Sequence, residues 1–201
     1  MIMLETLIPM LGFVLVTTIT PGPNNLLLAS SGVRFGFAAT MPHVVGVHCG
    51  VYVLVGLCAA GVGGLILSQA WALFTLKVAA SIYLLHLAWQ ILGMRMSPST
   101  GEEHARPMSV WQAGLFQFSN PKAWIMAAAG VNLALPLDGT AFTASVALCL
   151  GFATLGLACN LVWVAAGFAA QSAWQSPRYR GWVNGSLAVL TVLTVALFWY
   201  P

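Results

Sequence analysis

The chain of 201 residues predicts an all-α, polytopic membrane protein, with six transmembrane helices as two inverted three-helix repeats whose first helices are broken. Three observations lead to that class. Hydrophobic side chains make up 60% of the chain and charged ones 5%, whereas about a quarter of an ordinary soluble domain is charged. Six stretches reach the roughly 20 mostly apolar residues that a bilayer crossing needs. Prolines interrupt the first and fourth of these stretches at matching places, Pro21 and Pro121.

The stretches run approximately over 4–30, 39–67, 70–94, 109–135, 140–170 and 182–200. The opening "MIMLETLIPML" lacks the basic region of a secretory signal, and no small-residue cleavage site follows a compact apolar core, so the first stretch is expected to remain as a span. The clearly polar linker "RMSPSTGEEHARPM" separates three spans from three. The expected organisation is a single transmembrane domain, 1–201, with repeat one at about 1–94, the linker at about 95–108 and repeat two at about 109–201.

Six crossings place the loop with Arg34, the linker with Arg95 and Arg106, and the loop with Arg178 and Arg180 on one face. The other face receives both termini and the short turns near 67–70 and 135–140, where Glu5 and Asp138 lie without any Lys or Arg. The positive-inside rule then puts the arginine loops in the cytoplasm and both ends outside. Adding or removing one span would destroy this segregation, so orientation and span count support each other. The net charge of +3 comes from scattered cations that form no basic stripe, so it points to no nucleic acid; no such partner is expected, and the lipid bilayer is the expected surroundings.

The stretch "ITPGPNNLLLA" places Pro21, Gly22 and Pro23 inside an apolar span. Neither proline has an N–H, so the carbonyls of Thr17 and Ile19 lose their helical partners, and Gly22 is expected to let the chain turn between them. Freed polar groups in lipid cost several kcal/mol each, so such a break must face protein or a hydrated cavity. Pro23 can open a second half-helix with the N–H groups of Asn24, Asn25 and Leu26 at its positive end. In the fourth span Pro121 frees the carbonyl of Gln117 among Ser119, Asn120 and Lys122. A single proline kink is common in membrane helices and need bind nothing. Two at equivalent positions of oppositely oriented halves fit an inverted repeat with a central substrate site.

Half-helix amino ends and the ammonium groups of Lys77 and Lys122 suit an anionic group such as a carboxylate. Freed carbonyls and the side chains of Asn24, Asn25 and Asn120 suit an ammonium. Together they match a small zwitterion. The candidate binding residues are Thr20, Pro21, Gly22, Pro23, Asn24, Asn25, Lys77, Asn120, Pro121 and Lys122. For Lys77, two turns from the end of its span, a long stem reaching to solvent is the competing reading.

"TPGPNN" in the first span, "NPKAW" in the fourth, "LKVAASIYLLHLAW" in the third and the six-span layout resemble the lysine exporter and homoserine/threonine efflux (LysE/RhtB-type) family over nearly the whole chain. The first motif is highly specific and the second moderately so. The resemblance implies an inner-membrane, multi-pass exporter of small neutral amino acids or derivatives, driven by the proton gradient through alternating access, with the cysteine and O-acetylserine branch nearest. By the same resemblance Pro21, Gly22, Pro23, Asn24, Asn120, Pro121 and Lys122 occupy signature positions, and Lys77 is the lysine that opens the third helix. His43 and His48 depart from the family pattern, which has apolar or small residues there.

His43, Gly46, Gly50, Leu54, Leu57, Gly61 and Gly64 recur at spacings of three and four and form one stripe on the second span. Gly46 and Gly50 permit close helix approach, for packing or for sliding during transport, and such faces also suit a homodimer. His43 lies on this stripe, and an imidazole's ordinary pKa of about 6.5 suits a coupling proton; a hydrogen-bonded structural histidine is the alternative. Glu5, Glu102, Glu103 and Asp138 lie at ends or in loops, so no intramembrane carboxylate is expected to take that proton. His43, a lysine or the substrate itself remain as carriers.

Cys49, Cys58, Cys149 and Cys159 lie in apolar runs on the second and fifth spans, without CxxC spacing. They suit packing. They also raise a second function, a transmembrane thiol/disulfide electron carrier, although the nine-residue separation of Cys49 and Cys58 sets them on opposite helix faces. A structural or accessory subunit is a third reading. No cofactor and no metal is expected, and no GxSxG, HExxH or P-loop points to an enzyme.

Overall fold

Two prolines two residues apart end the first helix. In the computed structural model, which describes residues 2–93, 106–135 and 140–199, helix α1 (Ile2–Ile19) stops just short of the first proline. Helix α2 (Pro23–Phe35) starts on the second, where a missing N–H forfeits no helical bond. The axes bend by 53° across the gap. Gly22 is extended there, with φ −175° and ψ 172°, a conformation open to any residue. The expected role of its backbone freedom is therefore replaced by a steric one: a Cβ on Gly22 would lie 3.0 Å from both Cδ and Nζ of Lys122.

Gly36 closes α2 with φ 85°, a left-handed position that favours glycine. A 3-10 turn (Ala38–Thr40) leads into α3 (Met41–Ala59), followed by α4 (Val62–Ser68) and α5 (Ala70–Gly93). In the second half, α6 (Val110–Ser119) opens with a capping box in which Ser109 and Gln112 bond reciprocally. Asn120 then separates it from α7 (Pro121–Ala134). Helix α8 (Ala141–Gly151) runs through one π-helical segment (Phe152–Gly156) into α9 (Leu157–Ala169), and α10 (Gln171–Gln175) and α11 (Pro177–Trp199) follow. No strand occurs among the described residues. Most of the linker, with Arg95, Glu102 and Glu103, and the loop residue Asp138 lie outside the described residues.

Among the described residues three helical runs are long and apolar enough to cross a membrane: Ala38–Ala59, Ala70–Gly93 and Ala141–Gln175. The bent pair α1 and α2 qualifies as a fourth, broken span. The stretches expected as the fourth and sixth spans are helical too, as α6 with α7 and as α11. Around them Trp71, Trp89, Phe142 and Trp182 are each more than two-thirds exposed, an outer surface of large apolar groups that suits acyl chains and not water.

Contacts cross between the halves. Helix α2 packs on α9, α3 on α6 and α7, and α5 on α11. Glycines set the closest of these approaches. A Cβ on Gly46 would strike the carbonyl of Val110, and one on Gly50 would lie 2.5 Å from the carbonyl of Gly114, so the GxxxG face of α3 is seated on α6. Gly32 and Gly167 do the same between α2 and α9. The expected stripe continues through Leu54 and Leu57 into the core but not to its last glycines: α3 ends at Ala59, Gly61 turns the chain with φ 89°, and a Cβ on Gly61 or Gly64 would meet nothing within 4 Å.

Candidate substrate site

The two breaks face one another. Each carbonyl freed by the first has found a donor. Thr20 Oγ1 donates to Thr17 O at 3.1 Å, Trp163 Nε1 on α9 donates to Ile19 O at 3.1 Å, and Asn25 Nδ2 donates to Thr18 O at 2.6 Å and Thr20 O at 2.8 Å. Across the interface Lys122 Nζ donates to Thr20 O at 2.9 Å, Thr20 Oγ1 at 3.0 Å and Pro21 O at 3.3 Å. The proline cluster thus exposes polar backbone, and side chains from α2, α7 and α9 satisfy it inside an apolar protein.

The second break is satisfied in the same way. Asn120 N donates to Gln117 O at 3.1 Å, Trp124 Nε1 donates to Phe118 O at 2.9 Å, and Lys122 N donates to Asn120 Oδ1 at 3.1 Å. A reciprocal amide pair then joins the breaks: Asn24 Nδ2 donates to Gln117 Oε1 at 2.6 Å and Gln117 Nε2 to Asn24 Oδ1 at 2.9 Å. Gln117 Nε2 also reaches Ala113 O at 2.9 Å, and the side chain is wholly buried.

Between the breaks lies a cavity of about 40 Å³. One water needs about 10–15 Å³ on this measure, so there is room for a few waters and not for a whole amino acid. Thr17 and Thr18 of α1, Gly22, Pro23, Asn24 and Asn25 form one wall, and Asn120, Lys122, Ala123 and Met126 another. Val47, His48 and Val51 of α3, Phe152 and Gly156 of the π segment and Asn160 of α9 complete it. Among the described residues no carboxylate lines it and Lys122 brings its one ammonium, so the cavity favours a group of negative charge.

Of the residues singled out from sequence, Gly22, Pro23, Asn24, Asn25, Asn120 and Lys122 line the cavity. Thr20 and Pro21 adjoin it through the oxygens that hold Lys122, and Pro121 is buried at the start of α7. Lys77 is not brought to the cavity: it lies on α5 with Nζ 5.9 Å from the centre of the Trp199 ring. His43 does not line the cavity either. It is 1% exposed, and neither ring nitrogen has a hydrogen-bond partner among the described residues. None of the four cysteines is among the lining residues.

Sequence reasoning did not assign four polar lining residues, Thr17, Thr18, His48 and Asn160, nor Gln117, which joins the site through Asn24. His48 lines the cavity with Nε2 3.2 Å from Asn160 Nδ2 and Nδ1 3.4 Å from Tyr52 Oη. An amide nitrogen can only donate, so Nε2 accepts and Nδ1 carries the proton toward the phenol. Asn160 and Gln117 were detectable as isolated amides within apolar spans, a placement that in membrane helices marks interior contacts.

The LysE type translocator family model matches residues 15–200. The cysteine/O-acetylserine efflux protein of Escherichia coli (strain K12) is 28% identical over 189 residues, covering 94% of each chain. The protein of the same description from Shigella sonnei (strain Ss046) matches to the same extent. No solved structure matches the chain. A family match over nearly the full length, joined to long apolar helices and an outer apolar surface, makes this chain an integral membrane protein that belongs to the LysE-type translocator family.

Proposed function

We propose that the protein is a secondary transporter that exports small neutral amino acids or their derivatives from the cytoplasm, coupled to the proton gradient. The observation that carries this reading is the meeting of two interrupted helices, one from each half, at a cavity whose permanent charge is Lys122. Interrupted helices expose backbone donors and acceptors at the depth where a zwitterion must be held. The substrate named for the relatives, cysteine or O-acetylserine, is of the size and charge such a site would take.

In this reading the six expected spans form two inverted repeats in a bacterial inner membrane, with both termini outside and the arginine loops in the cytoplasm. Lys122 and the amino end of α7 take the substrate's carboxylate. The cavity is too small to hold substrate as it stands, so transport proceeds by alternating access, with the halves rocking over the glycine contacts of α3 with α6 and α2 with α9. His48 takes the coupling proton, since it lines the cavity and an imidazole's ordinary pKa of about 6.5 suits that role. One proton suffices energetically. Moving a unit charge through 100 mV is worth about 2.3 kcal/mol, roughly a fifty-fold gradient of a neutral zwitterion.

Counterflow of a panel of labelled amino acids into vesicles holding the purified protein, with and without an imposed pH difference, tests this directly. Exchange of small neutral members, accelerated by the pH difference, is the expected result. Absence of exchange across the panel overturns the function, and exchange indifferent to pH removes the proton from it.

A further inference from the structure

Lys122 does not reach toward an anion. Its three N–H groups point at three neutral oxygens of the first break, Thr20 O, Thr20 Oγ1 and Pro21 O, at 2.9, 3.0 and 3.3 Å. Three acceptors gathered about one nitrogen make the coordination shell of a primary ammonium. Gly22 contributes by absence, since any Cβ there would press on Cδ and Nζ of the lysine at 3.0 Å. No other group of the site gathers three acceptors about one point: Asn24 is locked with Gln117, Asn120 Oδ1 caps α7, and Thr18 Oγ1 offers a single acceptor.

We propose that the Thr20 and Pro21 oxygens are the subsite for the substrate's amino group, and that Lys122 occupies it as an internal stand-in until a zwitterion arrives. This rests on the transport reading above and assigns a partner to each substrate charge within it. The incoming ammonium takes the three-oxygen cradle; the displaced lysine turns to the incoming carboxylate. No covalent bond changes. Net charge in the site is the same before and after, because a zwitterion adds one charge of each sign. The exchange also keeps Pro21 O supplied with a donor throughout, which matters where an unpaired carbonyl costs several kcal/mol. A ligand carrying only one of the two charges breaks this balance: an amine without a carboxylate leaves Lys122 evicted and unpaired, and an acid without an amine leaves the cradle empty.

The test uses purified full-length Lys122→Ala, in which the cradle is vacated. Its melting temperature is followed with ethylammonium chloride, which carries three N–H donors, and with tetramethylammonium chloride, which carries none, at equal ionic strength. Ethylammonium is expected to raise the variant's melting temperature by about 2–4 °C, the shift that a 200-residue chain shows for modest ligand stabilisation. Tetramethylammonium is expected to have no effect, and the wild type to respond to neither. Equal responses of the variant to both ions overturn the proposal, as does an ethylammonium response of the same size in the wild type. If Lys122→Ala is not recovered folded, Lys122→Met keeps an unbranched stem over Gly22 and is read by the same criteria. Wild-type amino-acid counterflow is measured alongside. An ethylammonium-selective variant with an inert wild type would uphold the cradle and defeat the transport reading. Active counterflow with an unselective variant would do the reverse.

Discussion

Asn24 and Gln117, 93 positions apart, exchange both of their amide hydrogen bonds, at 2.6 and 2.9 Å. One stands just after the first helix break and the other just before the second, so the pair fixes the breaks to each other without involving charge. Because Gln117 is fully buried, removing its partner leaves its amide oxygen without the donor it has in the fold. Asn24→Ala is expected to destabilise the protein by about 1–3 kcal/mol. The Asn24→Ala/Gln117→Ala double variant is expected to cost clearly less than the sum of the singles. A thermodynamic cycle measured by denaturant unfolding in detergent checks this, and additive effects would mean the two amides do not act as a unit.

Lys122 bonds across the interface to the first break, and its ammonium is the cavity's permanent charge. Lys122→Ala is expected to abolish counterflow while leaving the protein inserted in the membrane fraction. Normal exchange by that variant would remove the residue from the mechanism.

A methyl group at Gly22 meets only the far end of a flexible side chain. Gly22→Ala is therefore expected to fold with a stability within about 1 kcal/mol of wild type, yet to lose most of its transport because the lysine is pushed off the Thr20 and Pro21 oxygens. Melting curves and counterflow on the same preparation separate the two effects. A variant that transports normally contradicts the steric role assigned to this glycine.

The two histidines of α3 divide. His48→Gln keeps a polar side chain beside Asn160 but cannot titrate, so exchange at equal pH should persist while stimulation by a pH difference disappears. His43 has no partner for either nitrogen among the described residues, and a buried polar group in that condition costs about 1–3 kcal/mol. His43→Leu should therefore be as stable as wild type or more so, with its pH response intact. Loss of the pH response in His43→Leu alone would return the proton to His43.

The cysteines are unpaired and absent from the cavity wall. A chain with Cys49, Cys58, Cys149 and Cys159 all changed to Ser is expected to retain counterflow. If it lost transport while the wild type shifted its thiol redox state during turnover, the electron-carrier alternative would gain the advantage.

The breaks were legible because Pro21, Pro23 and Pro121 each stand beside polar residues that can take up the freed backbone groups; a proline alone is not enough, since Pro9 lies inside α1 without interrupting it. Gly46 and Gly50 were legible for a similar reason, since a bare helix face in an apolar span invites a neighbour, and α6 is that neighbour. The partners of the freed carbonyls were not legible. Which of Asn25, Trp163 and Lys122 reaches which oxygen depends on how α2, α7 and α9 are placed in space, and spacing along one helix carries no such information. The same limit explains the histidines. Rotation about α3 sets His43 and His48 on different sides, but only the position of α9, with Asn160, makes the His48 side a cavity wall. Lys77 shows the converse, a position suggested by motif whose helix carries it to Trp199 instead.

The π-helical segment from Phe152 to Gly156 widens the winding between α8 and α9 at the cavity wall, a feature that α3, the helix expected to correspond to it in the first half, does not share over Met41–Ala59. Exchanging the roles of the two halves therefore cannot map the molecule onto itself. In the alternating-access reading proposed above, an inward-open and an outward-open form would then differ in energy even with nothing bound, so the resting carrier would lean to one side, and restoring ordinary α winding at that segment would shift the lean.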